Sequence, residues 1–380
     1  MKKFIPHFIF LLVVLIWIPS ALAETWDGGG ADNLASTPAN WTGNVVPPSY
    51  ADIIFNGTSS KQCTWDLNQT YSTLTIGSGY TGAVTVQSTL ILKGNYSSAG
   101  GVPVSGYPNW HERTMLVVTN AVRQAPQAYR NTYTSYTNIL LPANYPAVAP
   151  LYWNVSLNQS ARAHAIDMAT TPCFQHDSCD GTNWATRIIS YYPAAETSWI
   201  GENIAAGFSS PKEAVELLIC DAPEPAADCS DDLSGSDGHR QNIMSANYKE
   251  LGTGYYYYSA SPYDHYWVQD FAGTDPATQP PIVAGTHMAL NKQWNFWLNY
   301  YDSAAPQEVW LVIGGSPTAM TLAIGTAQSG LYTTTAATDS VCRSYHFEAV
   351  DSSGTLWRYP GTGEFRTYGI NGCTEDYISN

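Results

Sequence analysis

Basic residues are scarce in this sequence: 16 Lys and Arg stand against 31 Asp and Glu, a formal charge of −15. A chain of that sign repels phosphate polymers and anionic lipid surfaces, which argues against nucleic acid as a partner. Long apolar runs are missing after the N-terminal segment, so no membrane-crossing helix is expected in the mature chain. There is no H-E-x-x-H pair, no G-x-S-x-G elbow, no P-loop and no dinucleotide-type glycine pattern ahead of a helix. The corresponding zinc-protease, serine-hydrolase and nucleotide-binding signatures are therefore excluded. No C-x-x-C occurs either, which removes zinc ribbons and thioredoxin-type redox pairs.

The chain opens with Lys2 and Lys3, an apolar run over residues 8–18 and then Ala21-Leu22-Ala23. That order is a secretory signal peptide, residues 1–23, cut before Glu24. Without it the chain keeps 14 basic and 31 acidic residues, a formal charge of −17. Export permits disulfides. Seven cysteines leave one over, and proximity in sequence pairs Cys173 with Cys179, Cys220 with Cys229 and Cys342 with Cys373, leaving Cys63 free.

Three regions follow. Residues 24–97 read as a β-rich, β-solenoid-like module. ADIIFNG, STLTIGSG, AVTVQS and TLILKGN are short β-prone pieces cut by Gly, Asn and Ser. Its opening, with Trp26, Asp32 and VVPPSYADIIFNG, resembles secreted bacterial β-helical proteins. Residues 98–107 are a linker. The period then turns helical. Asn109 and Glu112 form a capping-box signature ahead of Met115, Val118, Val122 and Ala125, with Pro126 as a stop. LNQSARAHAIDMA lines up Leu157, Ala161, Ala165 and Met168, with His164 packed beside them, whereas His111 near the first helix start is expected to be exposed. Ser210-Pro211-Lys212-Glu213 opens a third helix with Ala214, Leu217, Leu218 and Asp221 on its inner face. TGYYYYSA and HYWVQDFAG form a hairpin over Ser261-Pro262-Tyr263-Asp264. Helices with antiparallel strands point to an α+β or α-β-α sandwich domain over residues 108–275. A linker, 276–285, leads to six strand-like pieces in 286–380, an Ig-like β-sandwich tied by Cys342 and Cys373. Both flanking β regions are expected to be structural, as spacers or surface-attaching modules.

Chemistry concentrates in the middle region. His176 lies in PCFQHDSCDG, Glu202 in WIGENIA, Asp221 at the end of the third helix and His239 in SDGHRQNIM. Gly201 and Gly238 suit tight backbone beside two of them. Two histidines and two carboxylates are the ingredients of a divalent-metal site, zinc foremost. The same four groups also suit general acid–base pairs. Spacing alone does not bring them together.

LYWNVSLNQSARAHAIDMA, CFQHDSC, SWIGENIAAG, AVELLICD, DGHRQNIMSANYKELGTGYYY and YWVQDFA, in that order, resemble the CAP superfamily. This group includes cysteine-rich secretory proteins, antigen 5, plant pathogenesis-related proteins and bacterial SCP-like relatives. The resemblance implies an α-β-α sandwich with a cleft lined by two histidines and two acids, which hold a divalent cation in several members. His176, Glu202 and His239 match it. The fourth position, usually Glu after a tryptophan, falls on Asp221 after Leu218, and Asp is one methylene shorter. The insertion APEPAADCSDDLSGSD, closed by Cys220 and Cys229, also departs from the family and is expected to be a solvated acidic loop. A Cys173–Cys179 bridge would restrict His176, contributing on the order of 2 kcal/mol of loop-closure entropy.

The leading expectation is a secreted multidomain protein that binds a lipid, polymer or protein at this cleft, with association to the cell surface open. The alternative is a metal-assisted hydrolase, peptidase or esterase, with Glu202 as base. A third reading is an adhesin in which the β regions do the work.

Overall fold

The computed structural model describes residues 23–47, 51–92 apart from 69, 72 and 89, 108–221, 229–231, 238–290, 293–337, 342–367 and 377–378. The segment up to residue 22 expected as a signal peptide, the expected 98–107 linker, most of the acidic insertion and Cys373 lie outside these residues. The described chain falls into two compact units, 23–92 and 108–378. Among the described residues no helix is long and apolar enough to cross a membrane.

The first unit is built from parallel pairs. Ala23–Thr25 lies on Asp52–Phe55, which lies on Thr73–Ile76. Cys63–Trp65 lies on Val84–Val86, and Thr70–Tyr71 on Ile91–Leu92. Asp52 pairs with Thr73, Cys63 with Val84 and Thr70 with Ile91, the same offset of 21 residues each time. A constant offset means that one coil of chain stacks on the next. Trp26, Trp41, Phe55 and Trp65 fill its centre, with Trp26 edge-on to Trp41 at 5.2 Å. Cys63 is free and buried there, and burial pushes its thiol up to about 12.

Among the described residues the second unit carries six α-helices: α1 (Trp110–Gln124), α2 (Pro126–Tyr133), α3 (Val155–Thr170), α4 (Trp184–Tyr191), α5 (Pro211–Cys220) and α6 (Gly238–Met244). A four-stranded sheet runs in the order Tyr152–Trp153, Glu250–Tyr257, His265–Ala272, Ile200–Ala206. The hairpin pairs Tyr257 with His265, as its turn residues imply. Helix α3 covers one face, packing Ala161, Ala165 and Met168 against Ile204, Tyr266 and Val268. Helices α1, α5 and α6 cover the other. Glycine permits the closest approach. A Cβ on Gly252 would sit 2.0 Å from the Asn158 amide, and one on Gly254 would sit 2.2 Å from the Ala161 carbonyl carbon.

Helix α1 begins as expected, with Asn109 and Glu112 closing a capping box. It is not amphipathic in the usual sense, because every residue from 112 to 124 is buried. A second sheet explains this. Ile282–Leu290, Gln293–Tyr301, Ser329–Ala337 and Thr321–Gly325 pair in that order, and Ala284, Met288, Trp297 and Leu331 share one core with α1. The polar residues of α1 find partners there: Thr114 hydroxyl meets Thr286 hydroxyl at 2.7 Å, and Gln124 donates to the Tyr300 carbonyl at 2.7 Å. The Trp110 indole donates to the His287 carbonyl at 2.8 Å, and Arg113 lies 3.7 Å over the Phe365 ring. Residues 276–285, expected as a linker, thus include the start of a buried strand.

The six strands anticipated in the C-terminal region are all present. They are joined by Ile282–Leu290, Ser316–Ala319, Glu364–Arg366 and Tyr377–Ile378. The second sheet of this sandwich runs Ser316–Ala319, Glu308–Ile313, Ser344–Val350, Glu364–Arg366, Tyr377–Ile378, with Leu356–Tyr359 also on Ser344–Val350. Cys342 is disulfide-bonded; Cys373, its expected partner, is outside the described residues. The fold is α+β, with strand-rich regions on both sides of the helical one.

Candidate functional site

His176 sits in a loop closed by the Cys173–Cys179 disulfide. The loop is anchored to α3, where Asp167 accepts from the Cys179 amide at 2.7 Å. The imidazole Nδ1 meets Glu202 Oε1 at 2.8 Å. Glu202 is buried in the edge strand Ile200–Ala206, while about half of the His176 side chain, 48%, faces solvent. The second oxygen of Glu202 is taken by Arg187 of α4. The same guanidinium donates to the His176 carbonyl at 3.1 Å and to the Ser178 hydroxyl at 2.9 Å. One cation therefore neutralises the carboxylate and ties the loop to the sheet.

Asp270 lies opposite Glu202 in the antiparallel register and is fully buried. Burial first, and the Glu202 charge second, push its carboxyl well above the usual carboxylate range, with Arg187 opposing them. Asp270 is thus biased towards its protonated form beside the Arg-paired Glu202.

The second pair has the same form. His239 Nδ1 meets Asp221 Oδ1 at 2.6 Å. Asp221 is the C-cap of α5, in left-handed backbone at φ 49°. Its other oxygen accepts the amides of His239 at 2.8 Å and Arg240 at 3.2 Å, at the start of α6. Arg240 returns the contact by donating to the Ile219 and Cys220 carbonyls of α5. Those are carbonyls that a helix end leaves without an intrahelical partner.

Asn203, next to Glu202, joins the two pairs. Its amide donates to the His239 carbonyl at 3.1 Å and to Gln269 at 3.0 Å. Asn242 of α6 donates to the Glu202 carbonyl at 3.2 Å and to Asn203 at 2.9 Å. All four anticipated residues are therefore linked through a few hydrogen bonds. Among the described residues, Nε2 of His176 and of His239 has no hydrogen-bond partner.

Other expectations fare differently. His164 is buried, and its Nε2 meets the Gln175 carbonyl at 2.9 Å. His111 is not exposed: it stacks on Tyr255 at 4.0 Å, and burial pulls its pKa down to about 4. In the acidic insertion Asp231 is not a solvated carboxylate. It accepts from the Leu140 and Leu141 amides, both at 2.8 Å, and from Arg240. A Cβ on Gly201 would fall 2.3 Å from the Tyr248 hydroxyl, so its smallness is required; one on Gly238 would meet nothing within 4 Å. Asp167, Cys173 and Cys179 offer ligand atoms within 4.8 Å of one another, but the two sulfurs are bonded to each other. Arg187, Asn203, Arg240, Asn242 and Asp270 were not anticipated. Arg240, Asn242 and Asn203 lie inside the quoted GHRQNIM and GENIA segments, so the signal was adjacent.

Residues 116–271 match the family model described as the cysteine-rich secretory protein family, CAP. The middle region of this chain is a CAP domain. Among curated proteins the chain is similar to the uncharacterized protein YkwD of Bacillus subtilis strain 168. The two are 28% identical over 158 residues, 41% of this chain and 52% of that protein. The chain thus spans about half the length of the curated relative it matches. Solved structures that resemble it include an extracellular SCP-domain protein of Bacillus anthracis, 22% identical with a TM-score of 0.28, covering 43% of this chain and 40% of that one. Another is venom allergen-like protein 4 of Schistosoma mansoni, 16% identical with a TM-score of 0.28, covering 45% of this chain and 92% of that one. The two disulfides between described cysteines fit an oxidising, extracellular setting.

Proposed function

We propose that the CAP domain is a secreted binding module whose paired histidines hold a divalent cation, zinc foremost, beside the surface that receives an extracellular ligand. The observation that carries this reading is the repeated geometry of the two imidazoles. Each gives Nδ1 to a buried carboxylate, which leaves the Nε2 lone pair as the ligand atom. His176 and His239 would supply the metal bonds, and Glu202 and Asp221 would orient them. When bound, the cation would supply a Lewis-acidic contact for an oxygen or nitrogen of the ligand. A metal-assisted hydrolase needs a base with an oxygen to spare. Both Glu202 oxygens are engaged, by His176 and Arg187, which favours binding over hydrolysis.

Zinc titration by calorimetry, on the wild type and on His176→Ala/His239→Ala, tests the proposal. Wild type takes up one zinc and the double variant does not; proton competition for imidazole weakens uptake as pH falls. Equal uptake by both proteins removes the site.

A further inference from the structure

The Cys173–Cys179 ring does more than position His176. Asp167, in the last turn of α3, stands against both sulfurs: a carboxylate oxygen and the two Sγ atoms all lie within 4.8 Å of one another. Asp167 accepts the Cys179 amide at 2.7 Å, and among the described residues no cation pairs with this carboxylate. Two sulfurs and a carboxylate at this spacing are a donor set for a thiophilic divalent cation. The set is closed for as long as the sulfurs are bonded to each other.

Access and anchoring both favour opening that bond. Asp167, Cys173 and Cys179 are all half-buried, whereas Cys220 of the other disulfide between described cysteines is 2% exposed. A thiolate has to reach a sulfur to break a disulfide, so the accessible bridge is the reducible one. The loop is also held without the bridge. His164 Nε2 meets the Gln175 carbonyl at 2.9 Å, and Arg187 donates to the His176 carbonyl and the Ser178 hydroxyl. Asp177 accepts the Trp184 amide at 3.0 Å, and the Ser178 amide donates to the Thr182 carbonyl at 2.9 Å. These contacts keep the two Cα atoms near their present separation of 5.9 Å once the sulfurs part. Thiolates on a tetrahedral zinc stand about 3.8 Å apart, given Zn–S bonds of about 2.3 Å, and that separation admits them. Little ordering is then left for a cation to impose.

We propose that Asp167, Cys173 and Cys179 form a redox-gated site for a thiophilic divalent cation, zinc or cadmium, opened by an external low-molecular-weight dithiol. A thiolate of the dithiol attacks one sulfur of the Cys173–Cys179 bond, and the other sulfur leaves and takes up a proton. The second thiol of the reagent then resolves the mixed disulfide. The protein gains two electrons and two protons, and the dithiol departs as a disulfide. The cation displaces both thiol protons and takes Asp167 as its oxygen ligand. An oxidising setting keeps the site shut. Its ligand atoms are not those of the paired histidines, although His176 sits in the same ring, so either site can exist without the other.

Cobalt(II) titration of the full chain, after mild dithiol treatment and removal of the reagent, tests it. Cobalt held by thiolate shows a sulfur-to-metal charge-transfer band that imidazole and carboxylate sites lack. Alkylation of free thiols and peptide mass mapping identify the cysteines that were reduced. In the His176→Ala/His239→Ala background the reduced protein shows the band, saturates at one cobalt per chain and loses it to zinc, while the oxidised protein shows no band. The Cys173→Ser/Cys179→Ser protein also shows none. Asp167→Asn, which still offers an oxygen to the Cys179 amide, keeps the band but binds cobalt about tenfold or more weakly. Four results each overturn the proposal: a Cys173–Cys179 bridge that the dithiol leaves intact in the folded chain, reduction without the band, a band that survives in Cys173→Ser/Cys179→Ser, or unchanged affinity in Asp167→Asn.

Discussion

Replacing His111 by Phe should make the protein more resistant to acid. His111 lies on Tyr255 with ring planes 16° apart and centroids 4.0 Å apart, with Trp110 at 4.8 Å and Trp267 at 6.0 Å. Burial, and after it the like charge of His265, lower its pKa from 6.5 to about 4. His265 itself is lowered by burial and holds the Tyr255 hydroxyl at 2.9 Å through Nδ1. The folded state thus keeps the His111 imidazole neutral, while the unfolded chain takes a proton below about pH 6.5. For a base with a depressed folded-state pKa, the contribution to stability is complete above 6.5 and drains away as pH falls towards 4. At about 1.4 kcal/mol per tenfold difference in proton affinity, the loss is at most roughly 3 kcal/mol. Phe keeps a flat ring on Tyr255 and cannot be protonated. Urea titrations followed by tryptophan fluorescence should find the two proteins within about 1 kcal/mol at pH 7.5. The variant should then be the more stable by roughly 2–3 kcal/mol at pH 4. Stability curves that stay parallel with pH, or a gap that widens towards alkaline pH, refute the reasoning.

Three further outcomes are expected. Arg187→Met leaves Glu202 buried without its cation and unties the His176 loop, costing about 3–5 kcal/mol in thermal denaturation; adding Glu202→Gln should recover part of the loss. Asp221→Ala removes the acceptor for His239 Nδ1 and for two amides of α6. Stability should drop by about 1–2 kcal/mol, and zinc affinity measured by calorimetry should fall roughly ten- to a hundredfold. Gly254→Ala places a methyl 2.2 Å from the Ala161 backbone of α3, so a melting curve should register a loss of about 3 kcal/mol or more.

The middle region was legible because each of its signals is local. Asn109 with Glu112, Ser210 with Pro211, and the turn over Ser261-Pro262-Tyr263-Asp264 each decide their own segment, and each element formed where those residues put it. The burial of α1 was not legible. Arg113, Thr114, Asn120, Arg123 and Gln124 are polar side chains outside the apolar stripe, and only the distant strand Ile282–Leu290 and its neighbours reveal that they are interior. The start of that strand was missed because IVAG directly follows the Pro-rich TDPATQPP, and the linker reading was carried across it. His111 was misplaced because its stacking partner, Tyr255, lies far along the chain. The histidine and acid positions were legible through family resemblance. The groups that hold them, Arg187 above all, were not, since nothing in TRIISYY marks an arginine that reaches from α4 to the strand carrying Glu202.

The shorter acid at the fourth site position need not weaken the site, and the reason lies in backbone rather than side-chain length. An Asp at a helix C-cap enters left-handed conformation more readily than most residues. At Asp221 this happens, with φ at 49°, and the carboxylate meets His239 at 2.6 Å. The acid of α5 accepts the first amides of α6, and the arginine of α6 donates to the last carbonyls of α5, so the two helix ends close on each other. Each set of groups is what the other helix end lacks. The Cys220–Cys229 bridge and the contact of Asp231 with Arg240 hold the same junction from the insertion's side. An inserted segment at this point therefore leaves the imidazole where it is, because His239 is positioned by the junction and not by the length of chain between the helices.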